Sequence, residues 1–380
     1  MSHRLWLALL LTASLVGCQS QPSPEVPSAA VPTETLTLVV GTAPGTDDGR
    51  IQVYRFDAEA GTLALTTEIG GQRDPSFVAT SADGRFVYAV NEAAGLVRAF
   101  AYEDGQLTFL NEQPAGGGAP CYLALSPDGQ YVVVANYVGG NVALLPIEAD
   151  GRLAPPTSVI QHEGSGPNAE RQEAPHAHYI APDPDGRYLL AADLGIDQVK
   201  VYEALADGPT LREVGVIQAQ PGDGPRHLAF GADGRWLYVL NELVGTVTVY
   251  RYAPPVGMEA VQTVSLLPEG FAGANKSADL HVHPSGRFLY ASNRGDYDSI
   301  AAFAVDEATG QLAPLGHATD GITWPRNFVI DPSGRWLLVA NRHADAITVY
   351  QLDPTTGALT FTGTSASVPA PTCLRFAPLA

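Results

Sequence analysis

The chain has 380 residues, of which 45% are hydrophobic and only 16% charged, with 39 Gly, 30 Pro and a formal net charge of −19. Such a composition supports a large core interrupted by many turns. The acidic balance argues against a general nucleic-acid partner, because phosphate binding needs a basic face that displaces counterions.

The chain opens with Arg4 and the apolar run LWLALLLTASLV, the size of a signal-peptide core and too short to span a bilayer comfortably. It ends in LVGC, which resembles a bacterial lipoprotein signal. Residues 1–17 are therefore expected to be cleaved and Cys18 to carry lipid. Residues 18–34, rich in Pro and Ser, read as a tether that cannot bury a core. The folded domain, 35–380, is expected outside the cytoplasm, in contact with the membrane only through the anchor, at the outer membrane or periplasm if the cell is Gram-negative. Cys121 and Cys373 fall in non-adjacent repeats and are expected to be free, buried thiols.

From residue 35 onward no long stretch shows helical periodicity, whereas short runs of Val, Leu, Tyr and Phe recur between Gly, Asp and Pro. Turn triplets begin at Asp83, Asp128, Asp185, Asp233, Ser285 and Ser333, with separations of 45, 57, 48, 52 and 48 residues. A period near fifty accommodates four strands. Each unit runs through an apolar strand such as HLAF, the turn, a stronger strand such as WLYVL, a polar pair such as Asn241-Glu242, an alternating strand such as TVTVY, and a variable fourth strand. The start of the domain has the later three strands of a unit without the first, and PTCLRFAP at the end is a first strand with nothing after it. Together they make a seventh unit. The expectation is an all-β, seven-bladed β-propeller of four-stranded antiparallel blades, closed by pairing the N- and C-terminal strands. Asp233-Gly234-Arg235 is then scaffold, since Asp and Gly serve a tight reversal.

In such a ring the residues just before strand one and just after strand two share one rim. Counting seven back from each triplet gives Ser76, Cys121, His178, Arg226, Ala278 and Arg326, with Thr372 in the closing blade. The position after strand two gives Thr42, Glu92, Tyr137, Leu194, Glu242, Arg294 and Arg342. Identities change from blade to blade while the skeleton stays fixed, as expected of a site grafted on a repetitive scaffold. His178, Arg226, Glu242 and Arg294 could activate water and hold an oxyanion. Each also has a plain structural alternative, such as a rim salt bridge between Arg226 and Glu242. Glu92, with Arg73 nearby, rivals Glu242, because YAVNE nearly repeats YVLNE. The pairs His176/His178 and His281/His283 could each face one side of a strand, but no spacing supplies a third ligand, so no metal is expected.

GPRHLAFGADGRWLYVLNEL, ADLHVHPSGRFLYASNRG, WPRNFVIDPSGRWLLVAN and PHAHYIAPDPDGRYLLAADLG, taken together, resemble the lactonase family of seven-bladed propellers, over about residues 35 to 380. That family includes propeller-type 6-phosphogluconolactonases and 3-carboxymuconate-lactonizing enzymes. The resemblance implies opening or closing of a lactone ring ester with no cofactor, with His178, Arg226, Glu242 and Arg294 as the catalytic set. On it, Glu242 or His178 is the base and Arg226 steadies the oxyanion. Arg294, Arg326, Arg342, Glu92, Arg73 and His281 are candidates for holding a small, anionic lactone. A monomer is expected. The alternatives are a non-catalytic binding propeller and a lactone-forming cycloisomerase. An exported enzyme would not meet a cytosolic phosphosugar lactone, so the reaction type transfers more safely than the substrate.

Overall fold

The computed structural model describes Met1 and residues 35–205 and 209–377. Cys18 and the signal and tether segments lie outside the described residues. From Thr35 to Ala377 the chain forms seven four-stranded antiparallel sheets. In blade 1 the innermost strand is Pro371–Ala377, followed outward by Thr35–Thr42, Gly49–Asp57 and Thr62–Gln72; blades 2 to 7 follow in chain order, with innermost strands Val78–Thr80, Pro120–Leu125, Ala177–Pro182, Pro225–Phe230, Asn275–Val282 and Pro325–Ile330. Thr37 pairs with Ala377 and Gly41 with Cys373, so the two ends of the propeller close one sheet. The ring closure read from the sequence is thus found.

Burial falls from the channel outward. All six residues of the second strand of blade 5, Trp236–Asn241, are buried, because neighbouring blades cover both of its faces. The fourth strand of blade 1, Thr62–Gln72, is largely exposed or half-buried. Aromatic side chains tie blade to blade: Trp336 Nε1 donates to Ala58 O (2.8 Å), Tyr88 OH to Gly151 O (3.0 Å), and Tyr290 OH to Gly357 O (2.8 Å). Gly357 lies at φ 73°, and a Cβ there would strike the Phe288 ring. The Asp-Gly-Arg triplets turn as expected: Gly234 has φ 70° and Arg235 N donates to Asp233 Oδ1 at 2.9 Å.

One regularity of the backbone positions the site. In six blades the ladder involving the innermost strand slips by at least one residue at its start, between Pro120 and Tyr122, Ala177 and Tyr179, Pro225 and His227, Ser277 and Leu280, Pro325 and Asn327, and opposite Gly41/Thr42. The residues in these slips include Cys121, His178, Arg226, Ala278, Arg326 and Thr372. A bulge takes a residue out of the pleat and re-aims its side chain. Here it gives the first rim position a direction independent of strand alternation. Cys121 and Cys373 are free and buried.

Candidate active site

The buried Asn that ends the second strand holds the following hairpin, as when Asn241 Nδ2 donates to Thr246 Oγ1 and Thr248 Oγ1, both at 3.0 Å. That fixed Asn presents the next residue, which varies between blades, at the rim. Glu242 is one such residue. It lines an open cavity of about 280 Å³ with Glu92, Cys121, Tyr137, Arg171, His178, Lys276, Arg294, Trp324, Arg326 and Arg342. Three larger grooves among the described residues, of about 610, 390 and 770 Å³, gather no comparable set of convergent charges. The charges, not the volume, mark the site.

Glu242 is the centre of an arginine cage. Its Oε1 accepts from Arg171 Nη2 at 2.8 Å, while its Oε2 lies 2.8 Å from Arg226 Nε and 3.6 Å from Arg294 Nη2. Burial alone would raise its carboxyl, but Arg294, Arg226 and Arg171 together hold it down at about 2. A carboxylate so stabilised has little affinity for a proton at neutral pH, which argues against Glu242 as the base. Its pair with Arg226 is enclosed rather than solvent-exposed, the two side chains being only 5% and 2% exposed.

Arg226 lies buried beside Glu242, outside the cavity lining. Besides Glu242, its Nη1 reaches Ala278 O and lies 3.1 Å from His227 Nε2. His227 Nδ1 in turn sits 2.7 Å from Asp279 Oδ1. Burial and Arg226 push His227 down to about 3 although Asp279 opposes them, so the ring is neutral: Nδ1–H donates to Asp279 and Nε2 accepts from Arg226. Arg294 is fixed by donating to Lys276 O (3.1 Å) and Ser277 O (3.2 Å), and its guanidinium lies 5.7 Å from the centre of the Trp324 ring.

His178 is buried, and its Nδ1 has no hydrogen-bond partner among the described residues. Burial, Arg226, His227 and Arg326 hold it well below the usual imidazole range, so it is neutral. Its ring meets those of His227 and Tyr137 edge-on at 5.3 and 5.6 Å.

The structure thus brings Arg226, Glu242 and Arg294 into direct contact and places His178, Arg326, Arg342 and Glu92 on the same cavity. Two expected site residues lie elsewhere. Arg73 does not line the cavity: its side chain is more than half exposed and pairs with Asp47 at 2.9 Å, although the next residue, Asp74, accepts from Glu92 N. His281 lies further along the innermost strand of blade 6, where Nε2 is 3.0 Å from Asp279 Oδ2 and the ring packs on Phe328. The H-x-H pairs have separate employment: His176 stacks on Tyr137, and His283 lies within hydrogen-bond reach of Ser285 and Gly334 O. No group of three or more His, Cys, Asp or Glu among the described residues is arranged for a metal ion.

Sequence reasoning missed Arg171, which reaches Glu242 from the connection between blades 3 and 4 and belongs to neither rim position. Its one signal was spacing: the interval from Asp128 to Asp185, at 57 residues the longest, contains that connection.

Comparison with known proteins agrees with this architecture. Residues 37–376 match the family described as "Lactonase, 7-bladed beta-propeller". A Bacillus subtilis protein named 6-phosphogluconolactonase is 37% identical over 341 residues, covering 87% of this chain and 96% of its own. A Formosa agariphila protein of the same name is 32% identical, covering 83% and 91%. Among solved structures, a periplasmic gluconolactonase of Pseudomonas aeruginosa superimposes with a TM-score of 0.86 at 36% identity, covering 91% of this chain and 100% of that one. The chain belongs to the seven-bladed β-propeller lactonase family.

Proposed function

We propose that the chain is an exported, lipid-anchored lactonase that hydrolyses the ring ester of a sugar or carboxylated lactone, with preference for an anionic one. The observation that carries the reading is the charge of the cavity. Five cationic side chains, Arg171, Lys276, Arg294, Arg326 and Arg342, face two carboxylates, Glu92 and Glu242, in a protein whose net charge is −19. Such local inversion favours an anionic ligand. The named relatives act on lactones of the phosphogluconate and gluconate type, by their names, and one is periplasmic, which supports export.

Arg326 is half-buried and has no hydrogen-bond or ion-pair partner among the described residues, so its guanidinium is free to receive the tetrahedral oxyanion. Arg226 serves it from below as part of the fixed cage. His178, neutral, supplies an N–H to the carbonyl oxygen rather than a charge, as a lowered imidazole can. Arg342, which donates to Ala43 O, and the exposed Lys276 stand where a phosphate or carboxylate substituent would be held.

Titrating acid release from glucono-δ-lactone, 6-phosphoglucono-δ-lactone and a carboxylated lactone tests this. Turnover with a preference for the anionic substrates is expected, reduced about 10- to 100-fold in Arg342→Ala/Lys276→Ala. Absence of turnover on all three would favour a binding propeller. Membrane fractions of cells carrying Cys18→Ser should lack the protein, and its retention there would overturn the anchor.

A further inference from the structure

Resting on the lactonase reading, we propose that Glu92 is a catalytic residue, taking a proton from the attacking water and returning it to the ring oxygen that leaves. Two carboxylates line the cavity, at the same rim position of blades 2 and 5. They differ in what surrounds them. Both oxygens of Glu242 are engaged by guanidiniums. Glu92 has no side-chain hydrogen bond or ion pair among the described residues, although its backbone is fixed. Its N–H donates to Asp74 O at 3.0 Å, and it opens the three-residue 3-10 turn Glu92–Ala94, which Gly95 ends at φ 69°. A carboxylate on a pinned backbone, facing a cavity and without a side-chain partner among the described residues, is free to hydrogen-bond a water.

The cavity divides on this basis. Arg171, Glu242 and Arg294 line one side of it, with Arg226 buried against Glu242, and these charges are paired with one another or with the backbone. Glu92, Arg326 and the ring of His178 are left for the ligand. Cys121 lies among them, close enough that Glu92, Arg326, Arg226 and Glu242 all act on its thiol, and Arg342 feels both Arg326 and Glu92. A proton acceptor and an oxyanion holder thus flank one space.

The step balances without a co-reactant. Water gives its proton to the Glu92 carboxylate as its oxygen bonds to the carbonyl carbon. The C=O pair moves to the oxygen held by Arg326 and His178. On collapse the ring C–O bond breaks, and its electron pair takes the proton back from Glu92. The product is the hydroxy acid, and the carboxylate is restored.

Glu92→Gln tests the assignment with 6-phosphoglucono-δ-lactone and glucono-δ-lactone. The expected result is a kcat lower by about 10²- to 10⁴-fold. KM should stay within about threefold and the melting temperature within about 2 °C, because the Glu92 side chain holds no partner among the described residues. In Glu92→Ala, added formate should restore rate in proportion to its concentration, which loss of a structural side chain would not allow. Wild-type turnover with Glu92→Gln equally fast overturns the assignment while leaving the lactonase reading intact. A wild type inert to both lactones overturns that reading, and the assignment falls with it.

Discussion

Arg226 Nε lies 2.8 Å from Glu242 Oε2 with both side chains almost wholly enclosed, and Arg171 and Arg294 converge on the same carboxylate. One buried negative charge therefore holds three guanidiniums together. Removing its centre would leave like charges in a largely desolvated space.

Glu242→Gln should accordingly cost about 3–5 kcal/mol in chemical denaturation, a buried charge pair broken on one side. Arg171→Ala should cost about 1 kcal/mol or less, since the Arg171 side chain is 26% exposed and solvent replaces part of what it gives. Equal losses for the two would contradict a cage centred on Glu242.

The neutral His227 ties stability to pH. Its folded value of about 3 lies below the unfolded value near 6.5, so between them the unfolded chain binds the extra proton. Its contribution is complete above about pH 6.5 and declines as pH falls toward 3. Between pH 5.5 and 4.5 the wild type should lose about 1 kcal/mol more per pH unit than His227→Gln. Parallel slopes in urea melts would mean that His227 is protonated in the fold.

Gly195 lets the connection that carries Arg171 and His176 lie against the end of blade 4's second strand. A Cβ there would sit 1.9 Å from Ala174 O and 2.7 Å from His176 N. Gly195→Ala should therefore destabilise by about 2 kcal/mol or more and lower lactone turnover. Gly70→Ala, whose Cβ would meet nothing within 4 Å, should be nearly neutral. Thermal melts of the two compared with wild type decide this.

Cys121 lines the cavity yet is 4% exposed, and Cys373 is fully enclosed. Burial, with Glu92 adding to it for Cys121, raises both thiols. Neither should react with a disulfide reagent at pH 8 in the folded protein, and both should react in guanidinium. Rapid labelling of native Cys121 would show a cavity floor more open than its burial indicates.

The sequence by itself determined the ring. The turn triplets, the continuously apolar second strands and the split seventh unit are local patterns, and each follows from strand geometry or from burial on two faces. Counting back from those turns also selected His178, Arg226 and Arg326, because the repeat fixes where a strand begins. The tertiary structure decided which charges are spent. YVLNE and YAVNE read almost alike, yet Glu242 is caged by three arginines and the Glu92 side chain has no partner among the described residues. That difference arises from Arg171, brought in by an irregular connection, and from Arg226 and Arg294, whose distances to a carboxylate no spacing along the chain encodes. Proton affinity depends on neighbours in space and on exclusion of water, so the chemistry of like residues diverged only once the blades closed.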